Sequence, residues 1–221
     1  MFKTKITKEE VNRLEIEAFK GEIVVVEKEE KVESAIQYLK KFPEVGFDTE
    51  TKPSFRKGLK YRVSLVQIST PDVCFLFRLN KMGLPPLLSN YLGDKSIKKI
   101  GLSLRDDFNG LRGRHAFKPA NFVDIQNIVQ SYGILELGLQ RIYAIIFDRK
   151  ISKSQQLSNW ENDRLTESQK CYAATDAWAC LRIYLQLMQS EKLTKKQIEK
   201  LLFNIALEQE QAAKKNKPTT Y

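Results

Sequence analysis

Apolar residues recur along this chain in two rhythms, every second residue and every third to fourth, and the switching between them predicts a mixed α/β protein. Short runs rich in β-branched and aromatic residues predict strands at Ile23-Val24-Val25-Val26, at Val45-Gly46-Phe47, over 63–68, over 73–77, over 98–102 and over 122–125. Helical spacing predicts helices over 34–41, which Pro43 stops, over 84–92, and from about Asp106 through Leu111. A further helix over 137–147 carries Leu139, Ile142, Ile145 and Ile146 on one apolar face. Three T-x-x-E/Q capping boxes mark helix starts at Thr7/Glu10, Thr166/Gln169 and Thr194/Gln197. The first opens a helix bearing Val11, Leu14 and Phe19 that Gly21 ends, the second a long helix to about Met188, the third a helix bearing Ile198, Leu201, Leu202 and Ile205. Asp124 is placed to cap another helix through Ile128 and Val129, closed by Gly133.

Short connections make the second, third and fourth strands an antiparallel meander, and the order of elements after them gives a mixed sheet with helices around it. The chain therefore divides into an N-terminal helix over 1–21, an α/β domain over 22–190, a C-terminal helix over 191–213 and a polar tail over 214–221 expected to be disordered. No internal repeat is visible.

Charge changes the picture more than composition does. Lys and Arg outnumber Asp and Glu by 37 to 27, a net +10, which points to an anionic partner, nucleic acid first. No apolar run approaches the roughly 20 residues that span a bilayer, and Met1-Phe2-Lys3-Thr4-Lys5 does not open a signal peptide, so no membrane partner is expected. Cys74, Cys171 and Cys180 are odd in number and form no C-x-x-C pair, which suggests thiols in a reducing, cytoplasmic setting. A single histidine, His115, argues against a His-rich metal site, and a serine or cysteine hydrolase would have to use this one residue as its base. Acidic chemistry is left as the main catalytic option.

Val45-Gly46-Phe47 runs straight into Asp48 and Glu50, which share one side of an extended strand. Two carboxylates at the end of a buried strand repel each other and are costly to bury unpaired, and a divalent cation is one partner that removes the cost. An isolated D-x-E is more often a solvated strand end. Asp106 and Asp107 open the helix after the fifth strand, and Asp176 lies amid Ala, Trp and Leu with Tyr172 one turn before it. The bland account of Asp176 is a surface pair with Lys170 or Arg182. Taken together, four carboxylates suit a pair of Mg²⁺ or Mn²⁺ ions roughly 3.5–4 Å apart, as in phosphoryl transfer.

The segments Phe47-Asp48-Thr49-Glu50, the run from Gly101 to Leu111, Leu157-Ser158-Asn159-Trp160 and the run from Tyr172 to Ala179 together resemble the three motifs of the DEDD 3′–5′ exonucleases. They are most similar to the RNase D-like and Werner-like branch, over about residues 22–190. The resemblance implies a ribonuclease H-like fold, a mixed five- to six-stranded sheet flanked by helices, with Ile23–Val26 as a possible extra edge strand. It implies catalytic roles for Asp48, Glu50, Asp107, Asp176 and Tyr172 and metal ligation by the four acids. Asp48 would bridge both ions, Glu50 and Asp176 would complete one site, and Asp107, aligned through Gly101 and Leu111 in preference to Asp106, would serve the other through water. Cys171 stands where a second branch of the family has histidine, so Tyr172 places the chain in the tyrosine branch.

The expected activity is hydrolysis of terminal phosphodiesters from a nucleic acid with a free 3′ end, releasing nucleoside 5′-monophosphates. The lack of RNase D's additional helical domains favours DNA over RNA. Arg56, Lys57, Lys60, Arg149, Lys150 and Lys153 are candidate strand contacts, and Phe55 and Leu102 candidate base contacts, with core packing the better-suited role for Leu102. Two other readings share the features: an inactive exonuclease-like module that binds nucleic acid or protein, and an endonuclease of ribonuclease H type. Oligomeric state has no signature in the sequence.

Overall fold

The alternating runs assemble into one six-stranded sheet: β1 (Glu22–Val26), β2 (Glu44–Thr51), β3 (Val63–Ser69), β4 (Val73–Arg78), β5 (Lys98–Gly101) and β6 (Phe122–Asp124). Across the sheet the order is β1-β4-β3-β2-β5-β6. The meander β2-β3-β4 is antiparallel, while β1 joins β4 and β5 and β6 join β2 in parallel. The computed structural model describes residues 1–56, 58, 60–115 and 118–215, with side chains described through 207.

Strand periodicity sorts β2 onto two faces. Val45 and Phe47, both fully buried, point into a core made with α2 (Val32–Leu39), α4 (Pro86–Leu92) and α5 (Arg105–Arg112). A one-turn helix, α3 (Leu79–Met82), precedes α4. Gly46, Asp48 and Glu50 face the other way, beneath α7 (Glu167–Met188), with α6 (Leu139–Phe147) packed beside it. Close approach of α7 depends on small residues. A Cβ on Gly46 would stand 1.9 Å from the Ala177 carbonyl oxygen, and Ala173, Ala174 and Ala177 are fully buried along the same helix. Every residue of β3 and β4 is buried, as expected for central strands covered on both faces.

Four segments differ from the sequence expectation. The N-terminal helix α1 (Lys8–Arg13) stops at Leu14, and the chain then runs extended to Phe19 instead of remaining helical to Gly21. There Glu17 N donates to the Lys150 carbonyl, Lys150 N to the Glu15 carbonyl and Phe19 N to Thr175 Oγ1, so long-range pairing outweighs helical propensity. β2 extends well past the run Val45-Gly46-Phe47, to Thr51, because β3 supplies partners, Leu65 opposite Glu50 and Val63 opposite Thr51. The segment after Asp124 forms two 3₁₀ turns, Ile125–Asn127 and Val129–Tyr132, instead of one α-helix. The last helix, α8 (Lys195–Lys215), runs past residue 213, and residues 216–221 lie outside the described part. All three capping boxes form. No described helix is long and apolar enough to cross a membrane.

Candidate active site

Asp48 and Glu50 leave the α7 face of β2, and Asp176 descends onto them from α7. One carboxylate oxygen from each of the three lies within 4.8 Å of the others. The two basic residues that a surface Asp176 would have used are engaged elsewhere: Lys170 pairs with Glu167 at 2.7 Å and Arg182 with Glu17 at 2.8 Å. Asp176 is 8% exposed and has Tyr172 beside it.

Asp107 reaches the same strand end from the opposite face. Thr49, between the two acids, points away from α7, and its hydroxyl donates to Asp107 Oδ1. Asp107 is half-buried on the first turn of α5, whereas Asp106 is exposed. Asp124 holds the entry to α5: its carboxylate accepts from Ser103 N at 3.0 Å, Leu104 N at 3.0 Å and Gln126 N at 2.9 Å. Ser103 sits there at φ 60°, a left-handed conformation uncommon outside glycine.

These acids are held where charge is unfavourable. Burial, then the charges of Asp107, Glu50 and Asp176, push Asp48 well above the usual carboxylate range. Burial and the neighbouring Asp176 and Asp107 push Glu50 up to about 9. Burial raises Asp176 to about 7, with Tyr172 and Lys153 opposing it, and raises Asp107 to about 6 against the Thr49 hydrogen bond. Burial and the same acids keep the Tyr172 hydroxyl protonated far above neutrality. An all-oxygen donor set with this much uncompensated repulsion fits a hard divalent cation. Asp48, Glu50 and Asp176 could hold it directly, with Asp107 adjacent.

The acids open into a cleft of about 340 Å³. Tyr172, Lys153 and Leu102 line it with them, as do Gln140, Ser152 and Gln156, which sequence reasoning missed. Ser152 and Gln156 belong to the basic connection before Trp160, and only their neighbour Lys153 carries a charge that draws notice. The first turn of α6 also lines the cleft; its N-cap, Gly138, leaves the opening N–H groups without a side-chain acceptor.

Other sequence candidates fall elsewhere. Arg149 pairs with Glu15, and the Lys150 ammonium donates to the Asn12 carbonyl, so both tie down the N-terminal segment and neither lines the cleft. Their charge is taken up by chain that sequence order places far away. Phe55 is 83% exposed and, like Arg56, lies outside the cleft lining. Lys60 lines a different depression, and Lys57 lies outside the described residues.

A mixed sheet in this order, with acids delivered to one strand end by β2, α5 and α7, defines a ribonuclease H-like protein with a carboxylate centre. A family profile described as 3′–5′ exonuclease matches residues 23–192. The chain belongs to that family, on the tyrosine branch of the DEDD exonucleases. It is 34% identical over 149 residues to the bifunctional 3′–5′ exonuclease/ATP-dependent helicase WRN of Mus musculus, covering 65% of this chain and 11% of that protein. Among solved structures, the Nibbler EXO domain of Aedes aegypti superposes with a TM-score of 0.70 at 20% identity, over 84% of this chain and 99% of that one. RNase D of Escherichia coli, described as an exoribonuclease involved in structured RNA processing, gives 0.68 at 21% identity, over 77% and 45%. The chain spans only 11% of the length of that WRN protein and 51% of a 3′–5′ exonuclease of Arabidopsis thaliana to which it is 30% identical.

Proposed function

We propose that this chain hydrolyses the terminal phosphodiester at the free 3′ end of a nucleic acid and releases nucleoside 5′-monophosphates. The observation that carries the reading is the meeting of Asp48 and Glu50 from β2 with Asp176 and Tyr172 from α7 in one cleft of nucleotide size, with Asp107 of α5 hydrogen-bonded to Thr49 on the other side of β2. Asp48, Glu50, Asp176 and Asp107 would hold two divalent cations, Mg²⁺ or Mn²⁺, which would neutralise the attacking and leaving oxygens of an in-line displacement.

The remaining work falls to the chain's own groups. Tyr172, kept neutral by burial and its acidic neighbours, orients the attacking water through its hydroxyl and does not serve as the base. Lys153 faces Asp176 and offers a positive charge to the phosphate, and the uncapped N–H groups opening α6 suit the same anion. Leu102, Leu139 and Ile151 give the cleft an apolar wall against which the terminal nucleoside excludes water.

The test is a 5′-labelled strand incubated with Mg²⁺ or Mn²⁺. A ladder of progressively shortened products is expected, abolished by Asp48→Ala. An unchanged strand, or a ladder that Asp48→Ala leaves intact, overturns the reading. A covalently closed circle separates it from an endonuclease, because an exonuclease has no end from which to begin.

A further inference from the structure

A second depression lies at the same end of the sheet as the carboxylates. Pairing of Thr51 with Val63 and of Leu65 with Arg78 brings the end of β2, the start of β3 and the end of β4 to one edge. At that edge an open cleft of about 550 Å³ is lined by the bases Lys60, Arg62, Lys81 and Arg114, with Tyr61, Asn80 and one acid, Glu161. Glu161 is already paired with Lys52 at 3.4 Å, and Lys81 with the exposed Asp163. Among the described residues, the exposed side chains of Lys60 and Arg62 have no acidic partner. Arg114 is anchored at the edge, its Nε donating to the Val63 carbonyl. Burial and the nearby Arg62 both push the Arg114 guanidinium down from its ordinary range, so two guanidinium groups stand close enough to repel each other.

A concave site with like charges crowded together and its one lining acid engaged favours an anion with several negative groups in a row. Glu50 lies opposite Leu65 and Leu65 opposite Arg78, so this cleft opens at the ends of the two strands next to the one that carries Asp48 and Glu50. Four basic side chains beside a single aromatic, Tyr61, whose ring already carries the Lys52 ammonium at 4.8 Å, suit phosphate contact that ignores base identity. We propose that this cleft anchors the phosphodiester backbone of the substrate beyond its terminal nucleotide, so that strands long enough to reach it bind more tightly than short ones. The assignment rests on the exonuclease reading for the identity of the ligand.

Fluorescence anisotropy of 5′-labelled single strands in EDTA, from a dinucleotide to strands several times longer and across a salt series, tests it without requiring turnover. Wild-type affinity is expected to rise with length. The double variant Lys60→Gln/Arg62→Gln, altering exposed side chains, is expected to lose that rise and to lower the slope of log affinity against log salt by about 2. Lys81→Gln is expected to lower it by about 1. Hydrolysis of a nucleoside 5′-p-nitrophenyl phosphodiester, too small to reach the second cleft, is expected to be unchanged in every variant. Wild-type affinity and salt slope in the double variant on the longest strand overturn the proposal. Wild-type protein that neither shortens strands nor hydrolyses the nitrophenyl ester overturns the exonuclease reading instead, while the anisotropy still reports on the cleft.

Discussion

Glu50 holds its proton to about pH 9 against an ordinary value of 4.5, and burial next to Asp176 is the reason. A carboxyl raised in the folded state contributes stability that is fully present below about pH 4.5 and is lost as pH rises through about 9. Metal-free protein is therefore expected to melt at progressively lower temperature across that window. Glu50→Gln is expected to flatten the decline and raise the melting temperature of metal-free protein at pH 8. Cation binding runs the other way, because it needs the deprotonated acids, so Mg²⁺ or Mn²⁺ is expected to stabilise wild type more as pH rises and Glu50→Gln little at any pH. Thermal melts with and without EDTA check both signs. Tyr172→Phe removes only the hydroxyl beside Asp176. It is expected to lower kcat about 10²-fold while cation affinity, read calorimetrically, stays near wild type.

At the scale of elements, the site depends on how closely α7 lies on β2. Gly46 and Ala177 meet at a point where a methyl group has no room, two residues before Asp48 and next to Asp176. Gly46→Ala is expected to lift the helix, costing about 2 kcal/mol or more, a fall of about 4–8 °C in melting temperature for a chain of this size. Its activity is expected to fall with it, as Asp176 withdraws from Asp48. The β5–α5 connection is the second positioning device. Asp124→Ala strips acceptors from Ser103 N, Leu104 N and Gln126 N, at an expected cost of about 1–3 kcal/mol. Because this connection carries Asp107, strand shortening is expected to slow more than cation binding weakens.

On the scale of the molecule, an acidic pit is set in a chain of net charge +10. Long-range attraction draws a polyanion to the surface, and cations would permit its end to enter the pit. Strand-shortening rates at low substrate are expected to fall steeply between low and physiological salt, whereas hydrolysis of the small nitrophenyl ester is expected to change little.

The capping boxes, the strand runs and the shared side of Asp48 and Glu50 are written in residues two to four apart, where local geometry alone decides, and all were legible in the chain. So was the family, because its motifs are short and recur in a set order. What depended on folding lies between residues far apart. The N-terminal segment, helical by its pattern, became extended because Lys150 and Thr175 offered hydrogen bonds that no local rule foresees. Arg149 and Lys150, basic residues suited to a phosphate, were taken up by that segment. Asp107 came to the strand end on the side of Thr49, opposite the other three acids, because α5 packs on the other face of the sheet. Pattern along a chain reports which face a residue shows; which distant group meets that face is decided only when the sheet and its helices pack, since burial, repulsion and hydrogen bonding there are shared among segments more than a hundred residues apart.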